Sequence, residues 1–199
     1  MLIKVCGLRI PEQVDTLSKI SDFVGFIYYS KSPRVVTNPP KNSGAKRVGV
    51  FVNESPEKIL EIIDRDQLDA VQLHGNESPN NIEIFRYRTI VIKAFGIFKE
   101  FNFNSLLDYE GTADYYLFDT KTINHGGSGR QFNWEVLNRY HLSTPFFLSG
   151  GITPSSIERI RKIENPAFAG VDINSGFEIE PGNKNIKLIK HFIDGIKNN

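Results

Sequence analysis

Eight short apolar runs recur along the chain, at residues 2–6, 23–28, 47–52, 70–73, 90–94, 115–119, 145–149 and 170–173. They are dominated by Val, Ile and aromatic residues, the pattern of strands covered on both faces. Each is followed by a turn and then by a helix-like segment, which predicts βα units joined by right-handed crossovers.

The helices announce themselves at their starts. Asn53-Glu-Ser-Pro opens a helix over 56–65, where Ile59, Leu60, Ile62 and Ile63 form one apolar stripe. Ser78-Pro-Asn-Asn, Thr153-Pro-Ser-Ser and Pro181-Gly-Asn-Lys are read as three further openings, with proline near each start. In the last helix Ile186, Ile189, Ile193 and Ile196 fall at helical spacing and are expected to face the sheet. Two units are weak. Between Tyr29 and Val48 the prolines leave one or two helical turns at most, near 43–47, and between Gly96 and Tyr115 only 103–109 can wind.

Eight such units predict an α/β fold, a single (β/α)8 TIM-barrel domain over residues 1–199, with reduced helices after strands two and five. The reductions agree with 199 residues, a length short of the roughly 250 usual for this architecture. The rival, an open doubly wound sheet, carries a G-x-G-x-x-G turn after its first strand. Here the glycine-rich turns follow the sixth, seventh and eighth runs instead.

A barrel gathers its functional groups where its strands end. Those positions hold Lys4 and Cys6, residues 28–34, Asn53, Gln72 and His74, Lys93, Asp119 and Lys121, Ser149-Gly150-Gly151, and Asp172 to Gly176. Asp119 closes an apolar run, where a carboxylate is costly unless it faces the barrel mouth. There it can act as a proton donor; the plainer reading makes it a turn initiator. Cys6 lies on the same side of its strand as Lys4, which would favour the thiolate, although most buried free cysteines are small hydrophobes. The glycines at 150–151 and the run Asn174-Ser175-Gly176 follow strands seven and eight, the frequent phosphate site of barrels; either alone could be a simple turn. Arg34 can fork onto a carboxylate or merely be solvated. The stretch 124–131 reads equally as a lid or as an exposed loop.

The charge balance, 24 basic against 23 acidic side chains and a net +1, offers no field for nucleic acid or an anionic membrane. The single cysteine forms no intrachain disulfide, and no apolar stretch is long enough for a bilayer. With no leader-like start, a cytoplasmic protein is expected, either monomer or homodimer. No His/Cys/Asp spacing suggests a metal.

Together, Lys4-Val-Cys-Gly, Lys31-Ser-Pro-Arg34, Val48-Gly-Val-Phe-Val-Asn53, Val71-Gln-Leu-His-Gly75, Phe118-Asp-Thr-Lys121, Gly126-Gly-Ser-Gly129, Leu148-Ser-Gly-Gly-Ile152 and Val171-Asp-Ile-Asn-Ser-Gly-Phe-Glu178 resemble phosphoribosylanthranilate isomerase, in order along nearly the whole chain. The resemblance implies a cofactor-free and metal-free Amadori rearrangement in tryptophan biosynthesis. In it Asp119 is the general acid, Cys6 the general base and Arg34 the holder of the anthranilate carboxylate. The phosphate goes to Gly150, Gly151, Asn174, Ser175 and Gly176, and Asp172 points to the mouth, toward a substrate hydroxyl or a neighbouring amide. The family commonly has Ser-Ser-Gly-Val-Glu after strand eight; here Asn174 replaces the first serine and Phe177 the valine. Two other readings compete: a phosphosugar aldolase or synthase using Lys93, and a non-catalytic phosphosugar-binding barrel.

Overall fold

The computed structural model describes residues 1–41, 44–120 and 132–197. Eight strands form in the expected order: β1 (Leu2–Val5), β2 (Phe23–Ile27), β3 (Lys46–Phe51), β4 (Ala70–Leu73), β5 (Ile90–Ile97), β6 (Tyr115–Thr120), β7 (Phe146–Leu148) and β8 (Phe168–Ile173). Each pairs in parallel with the next, and β8 pairs back with β1 through Leu2↔Gly170 to Val5↔Ile173, which closes the ring. Every strand overlaps a predicted run.

The strands are buried on both faces because the two sides meet different partners. Inward residues Phe23, Val48, Ala70, Ile92, Ala94, Leu117 and Phe147 pack together in the lumen. Outward residues such as Ile3, Val5, Val24, Val71 and Val91 pack beneath the helices and loops. The period-two alternation of a strand then decides which polar groups reach the mouth.

The helical layer is uneven. α1 (Pro11–Ser18) follows β1, and α2 (Pro56–Asp66) is the best capped: Ser55 Oγ accepts from the Lys58 amide, and Gln67 closes the helix in a left-handed conformation. Ile59, Ile62 and Ile63 are its buried stripe. α3 (Pro79–Glu83) and α4 (Ile157–Arg161) have five residues each, while Phe103–Tyr109 and Trp134–Arg139 are 3-10 turns. Thr153 and Ser156 form a reciprocal cap before α4. The reduction after the fifth strand is as expected, and it extends to the fourth and sixth units.

The reduction expected after the second strand is complete among the described residues, where no helix lies between β2 and β3; Lys46, at the edge of the turn expected near 43–47, joins Arg47 in β3. Pro33, Pro39 and Pro40 remove amide donors and bias their predecessors toward extended backbone, so the segment crosses as a loop that bridges Val35 to Ile27. One helix expectation fails: Pro181 does not open the last helix. Pro181 and Gly182 (φ 84°) turn a small hairpin between β9 (Glu178–Glu180) and β10 (Asn183–Lys184). The helix α5 (Ile186–Lys197) starts later, with the Asn185 side chain accepting from the Leu188 amide. Its buried face is Ile189, Phe192, Ile193 and Ile196, with Ile186 packed at the edge.

Lys93 is fully buried on the outer face of β5. It donates to Glu77 Oε2 (3.0 Å) and to the carbonyls of Leu73, Gly75 and Ala94. Glu77 also accepts from the Asn53 and Gly75 amides, so this pair shapes the loop after β4. Burial raises the Glu77 pKa, but Lys93 together with the amides of Asn53 and of Glu77 itself outweighs it and holds the carboxyl below its usual range. Removing one partner of such a pair costs about 3–5 kcal/mol. Lys93→Met therefore lowers the melting temperature by about 10 °C, measurable by calorimetry.

Candidate active site

The inward positions at the C-terminal ends of the strands enclose a cleft of about 850 Å³, counting its open mouth. Its walls are Cys6, Arg34, Gln72, His74, Asp119, Ser149, Gly150, Gly151, Asp172, Asn174, Ser175 and Gly176, with apolar Ile27, Val50, Val52 and Ile152. All nine residues singled out from the sequence as catalytic or substrate-binding thus line one cleft. Lys93 does not: its neighbours Ile92 and Ala94 take the lumen, so alternation turns it outward. The lysine-dependent reading loses its lysine. Lys121 and the stretch 124–131 fall outside the described residues.

Cys6 follows β1, and its amide donates to the Ile173 carbonyl of β8. The fully buried Lys4 lies two residues earlier on the same inward face and donates to Asp172 Oδ1 at 2.9 Å. The partner of Asp172 is therefore this ammonium, where the sequence reading had named a substrate hydroxyl or an amide. Burial drives the Cys6 thiol above its ordinary pKa; Lys4 and Lys184 pull it down but do not overcome burial. Burial pulls the Lys4 pKa down, but Asp172 and Cys6 together outweigh it and hold the ammonium above its ordinary value. Burial pushes the Asp172 carboxyl up, with Lys4 pulling the other way.

Asp119 sits at the end of β6, across the mouth from Cys6. Its Oδ1 accepts from the Thr120 amide (2.7 Å), and its Oδ2 faces His74 Nε2 at 3.5 Å. His74 Nδ1 in turn meets Gln72 Nε2 at 2.8 Å. Gln72 and His74 both point inward by alternation and form a polar row leading to the carboxyl.

Gly150 (φ 81°) and Gly151 (φ 67°) bend the chain through left-handed backbone immediately after β7. A Cβ on Gly150 would stand 2.5 Å from Asp119 Oδ1 and from Thr120 Oγ1, so only glycine fits there. The short turn Ser175–Phe177 follows β8 beside it, with Gly176 against the Ile152 carbonyl.

Arg34 reaches the cleft from the loop after β2 and is nearly buried. Its guanidinium forks onto Glu178, with Nε 2.9 and 3.0 Å from Oε1 and Oε2 and Nη2 2.6 Å from Oε2. Glu178 also accepts from Lys184 Nζ (2.7 Å) and from the Gly182 amide (2.9 Å). Sequence reasoning missed both partners. Glu178 had been seen only as the end of a motif, and Lys184 lay in a segment read as a helix start.

Among the described residues no group of three or more His, Cys, Asp or Glu side chains is arranged to hold a metal, and no helix is long and apolar enough to cross a membrane.

A closed parallel barrel with a polar cleft at the carboxyl ends of its strands is the frame of the barrel enzymes. The sequence matches the family model of N-(5'phosphoribosyl)anthranilate (PRA) isomerase over residues 3–195. It is similar to the N-(5'-phosphoribosyl)anthranilate isomerases of Parabacteroides distasonis (45% identical, covering 98% of this chain and 93% of that one) and Thermotoga neapolitana (40%, 98% of each). Its fold is similar to the crystal structure of the Thermotoga maritima enzyme (TM-score 0.83, 36% identity, 99% of each chain). It is also similar to a phosphoribosyl anthranilate isomerase solved in complex with reduced 1-(o-carboxyphenylamino)-1-deoxyribulose 5-phosphate (TM-score 0.80, 33% identity, covering 99% of this chain and 98% of that one). The chain belongs to the N-(5'-phosphoribosyl)anthranilate isomerase family, intramolecular isomerases of tryptophan biosynthesis.

Proposed function

We propose that this chain converts N-(5-phosphoribosyl)anthranilate to 1-(2-carboxyphenylamino)-1-deoxyribulose 5-phosphate, with Asp119 as general acid and Cys6 as general base. One observation carries the reading: a thiol and a carboxyl group from β1 and β6 line the same cleft beside two glycine-bent loops. Asp119 gives its proton to the furanose ring oxygen, the C1′–O bond breaks, and nitrogen lone-pair electrons form the C1′ iminium. Cys6 then takes the C2′ proton, and the released electron pair gives the enolamine. Its tautomerisation places a proton on C1′ and a ketone at C2′. The reaction moves protons between adjacent atoms and needs no redox group.

The remaining residues fit the rest of the substrate. The loops at Gly150–Gly151 and Asn174–Ser175–Gly176 take the phosphate at the position usual for barrels. Asp172 spends Oδ1 on Lys4 and offers Oδ2 to a ribose hydroxyl. Arg34 takes the anthranilate carboxylate. Residues 1–199 act as one barrel domain in this reading, supported by the closure of β8 onto β1. The cytoplasm is its setting, where a lone free thiol stays reduced.

Freshly prepared phosphoribosylanthranilate supplied with the enzyme should lose its anthranilate-type fluorescence in proportion to enzyme added; an unchanged signal rejects the proposal and leaves a binding barrel. Loss of a charge-assisted bond worth about 1.5–3 kcal/mol corresponds to roughly 10- to 100-fold in affinity. Arg34→Ala should raise KM by that factor and leave kcat within about threefold. Steady-state kinetics on the purified variant would decide it, and an unchanged KM would remove Arg34 from substrate binding.

A further inference from the structure

The arginine proposed to hold the substrate carboxylate is itself held by a carboxylate. Glu178 occupies the Nε–Nη2 side of the Arg34 guanidinium. Among the described residues Nη1 has no protein partner, so the edge bearing Nη1 is the one left for a ligand. Left alone, Arg34 and Glu178 would neutralise each other and the site would lose its attraction for an anion. Lys184 prevents this. Its fully buried ammonium donates to Glu178 Oε1 and to Asn174 Oδ1 (2.6 Å), so Arg34, Glu178 and Lys184 together carry one net positive charge. The backbone supports the same cluster: Gln13 Oε1 accepts from the Lys184 amide, Gln13 Nε2 donates to the Lys184 carbonyl, and the Gly182 amide donates to Glu178. Gly7 (φ 73°) gives the cluster its room, since a Cβ there would meet Arg34 Cδ at 2.7 Å and Asn174 Oδ1 at 2.8 Å.

We propose that Glu178 and Lys184 are positioning residues for substrate selection: Glu178 aims the free edge of Arg34 at an aryl carboxylate, and Lys184 keeps the cluster cationic while tying it to Asn174 at the head of the phosphate loop. This rests on the function proposed above for Arg34 and the loops. It makes the hairpin β9–β10 a clamp that joins the two ends of the substrate site.

The sign of one substitution separates aiming from simple charge. Glu178→Gln removes a negative charge beside an anionic substrate, so a residue acting through charge alone would tighten binding when changed. A residue that aims Arg34 gives the reverse: KM for phosphoribosylanthranilate rises about tenfold, with kcat within about threefold. N-(5-phosphoribosyl)aniline, which lacks the carboxylate, should inhibit the variant and the parent enzyme equally. Lys184→Met should weaken both compounds, because it also releases Asn174. Glu178→Asp keeps the charge but falls a methylene short of the fork; it should raise KM as Glu178→Gln does and serves if the glutamine variant does not fold by circular dichroism. A KM that falls or stays constant in the Glu178 variants, while Arg34→Ala raises it, overturns the inference and leaves the Arg34 assignment standing. A KM that does not respond to Arg34→Ala overturns the assignment beneath it.

Discussion

Cys6→Ala is expected to lower kcat by about 10²- to 10⁴-fold, the span of a single positioned general base. The fold should survive the change. Cys6 is buried against Gly25, where an added Cβ would stand 2.8 Å from its sulfur, and losing one buried sulfur costs about 1 kcal/mol. At this chain length that moves the melting temperature by only a few degrees. The thiol also carries a pH signature. Burial raises its pKa, and a raised pKa in an acid that is neutral when protonated means the thiol form persists to higher pH. The thiolate absorbance of the parent enzyme minus that of Cys6→Ala should therefore titrate with a midpoint above about 8.5, the ordinary value for cysteine. A midpoint near neutrality would show the buried cations winning over desolvation. A variant with near-parental kcat would rule out Cys6 as the base.

Asp119→Asn is the second large effect, again about 10²- to 10⁴-fold in kcat. The amide is isosteric and its oxygen can still accept from the Thr120 amide, so the end of β6 keeps its shape. What disappears is the transferable proton for the ring oxygen. KM should change little, because the surfaces assigned to carboxylate and phosphate lie on other elements. Single-turnover measurement of ring opening gives the check; a variant that opens the ring at the parental rate transfers the acid role elsewhere, with His74 the adjacent candidate at 3.5 Å. Combining Asp119→Asn with Cys6→Ala should cost less than the product of the two losses if both groups serve one reaction path.

Much of this site was legible along the chain. Eight runs rich in Val, Ile and aromatics correspond to eight strands, and the residue at the end of each run was placed correctly at the mouth in most units. Cys6, Asp119 and the glycines at 150–151 were found this way, because strand alternation and chain order alone decide that they end inward-facing strands of one ring. Lys93 shows where that logic stops. A strand covered on both faces has no polar side to betray its phase, so Lys93 at the end of a run looked like a mouth residue. Its neighbours Ile92 and Ala94 fill the lumen instead, and its charge is buried outside against Glu77.

The Pro181 hairpin shows a second limit. Proline near a start marks a helix or a turn equally well. At Pro181 the outcome depended on Glu178, Gly182 and Lys184 meeting each other, and on Gln13 of α1 fastening the hairpin.

The sequence by itself determined the barrel, its strand order and most of the residues presented at its carboxyl rim, Lys93 excepted, since burial periodicity is a local property of the chain. Only the tertiary structure decided the charges. Lys4 with Asp172 and Arg34 with Glu178 are partners from opposite ends of the chain, brought together by closure of the ring and by a hairpin. A buried charge is stable only beside its counter-charge, and which counter-charge that is depends on distance in space, which spacing in sequence does not encode.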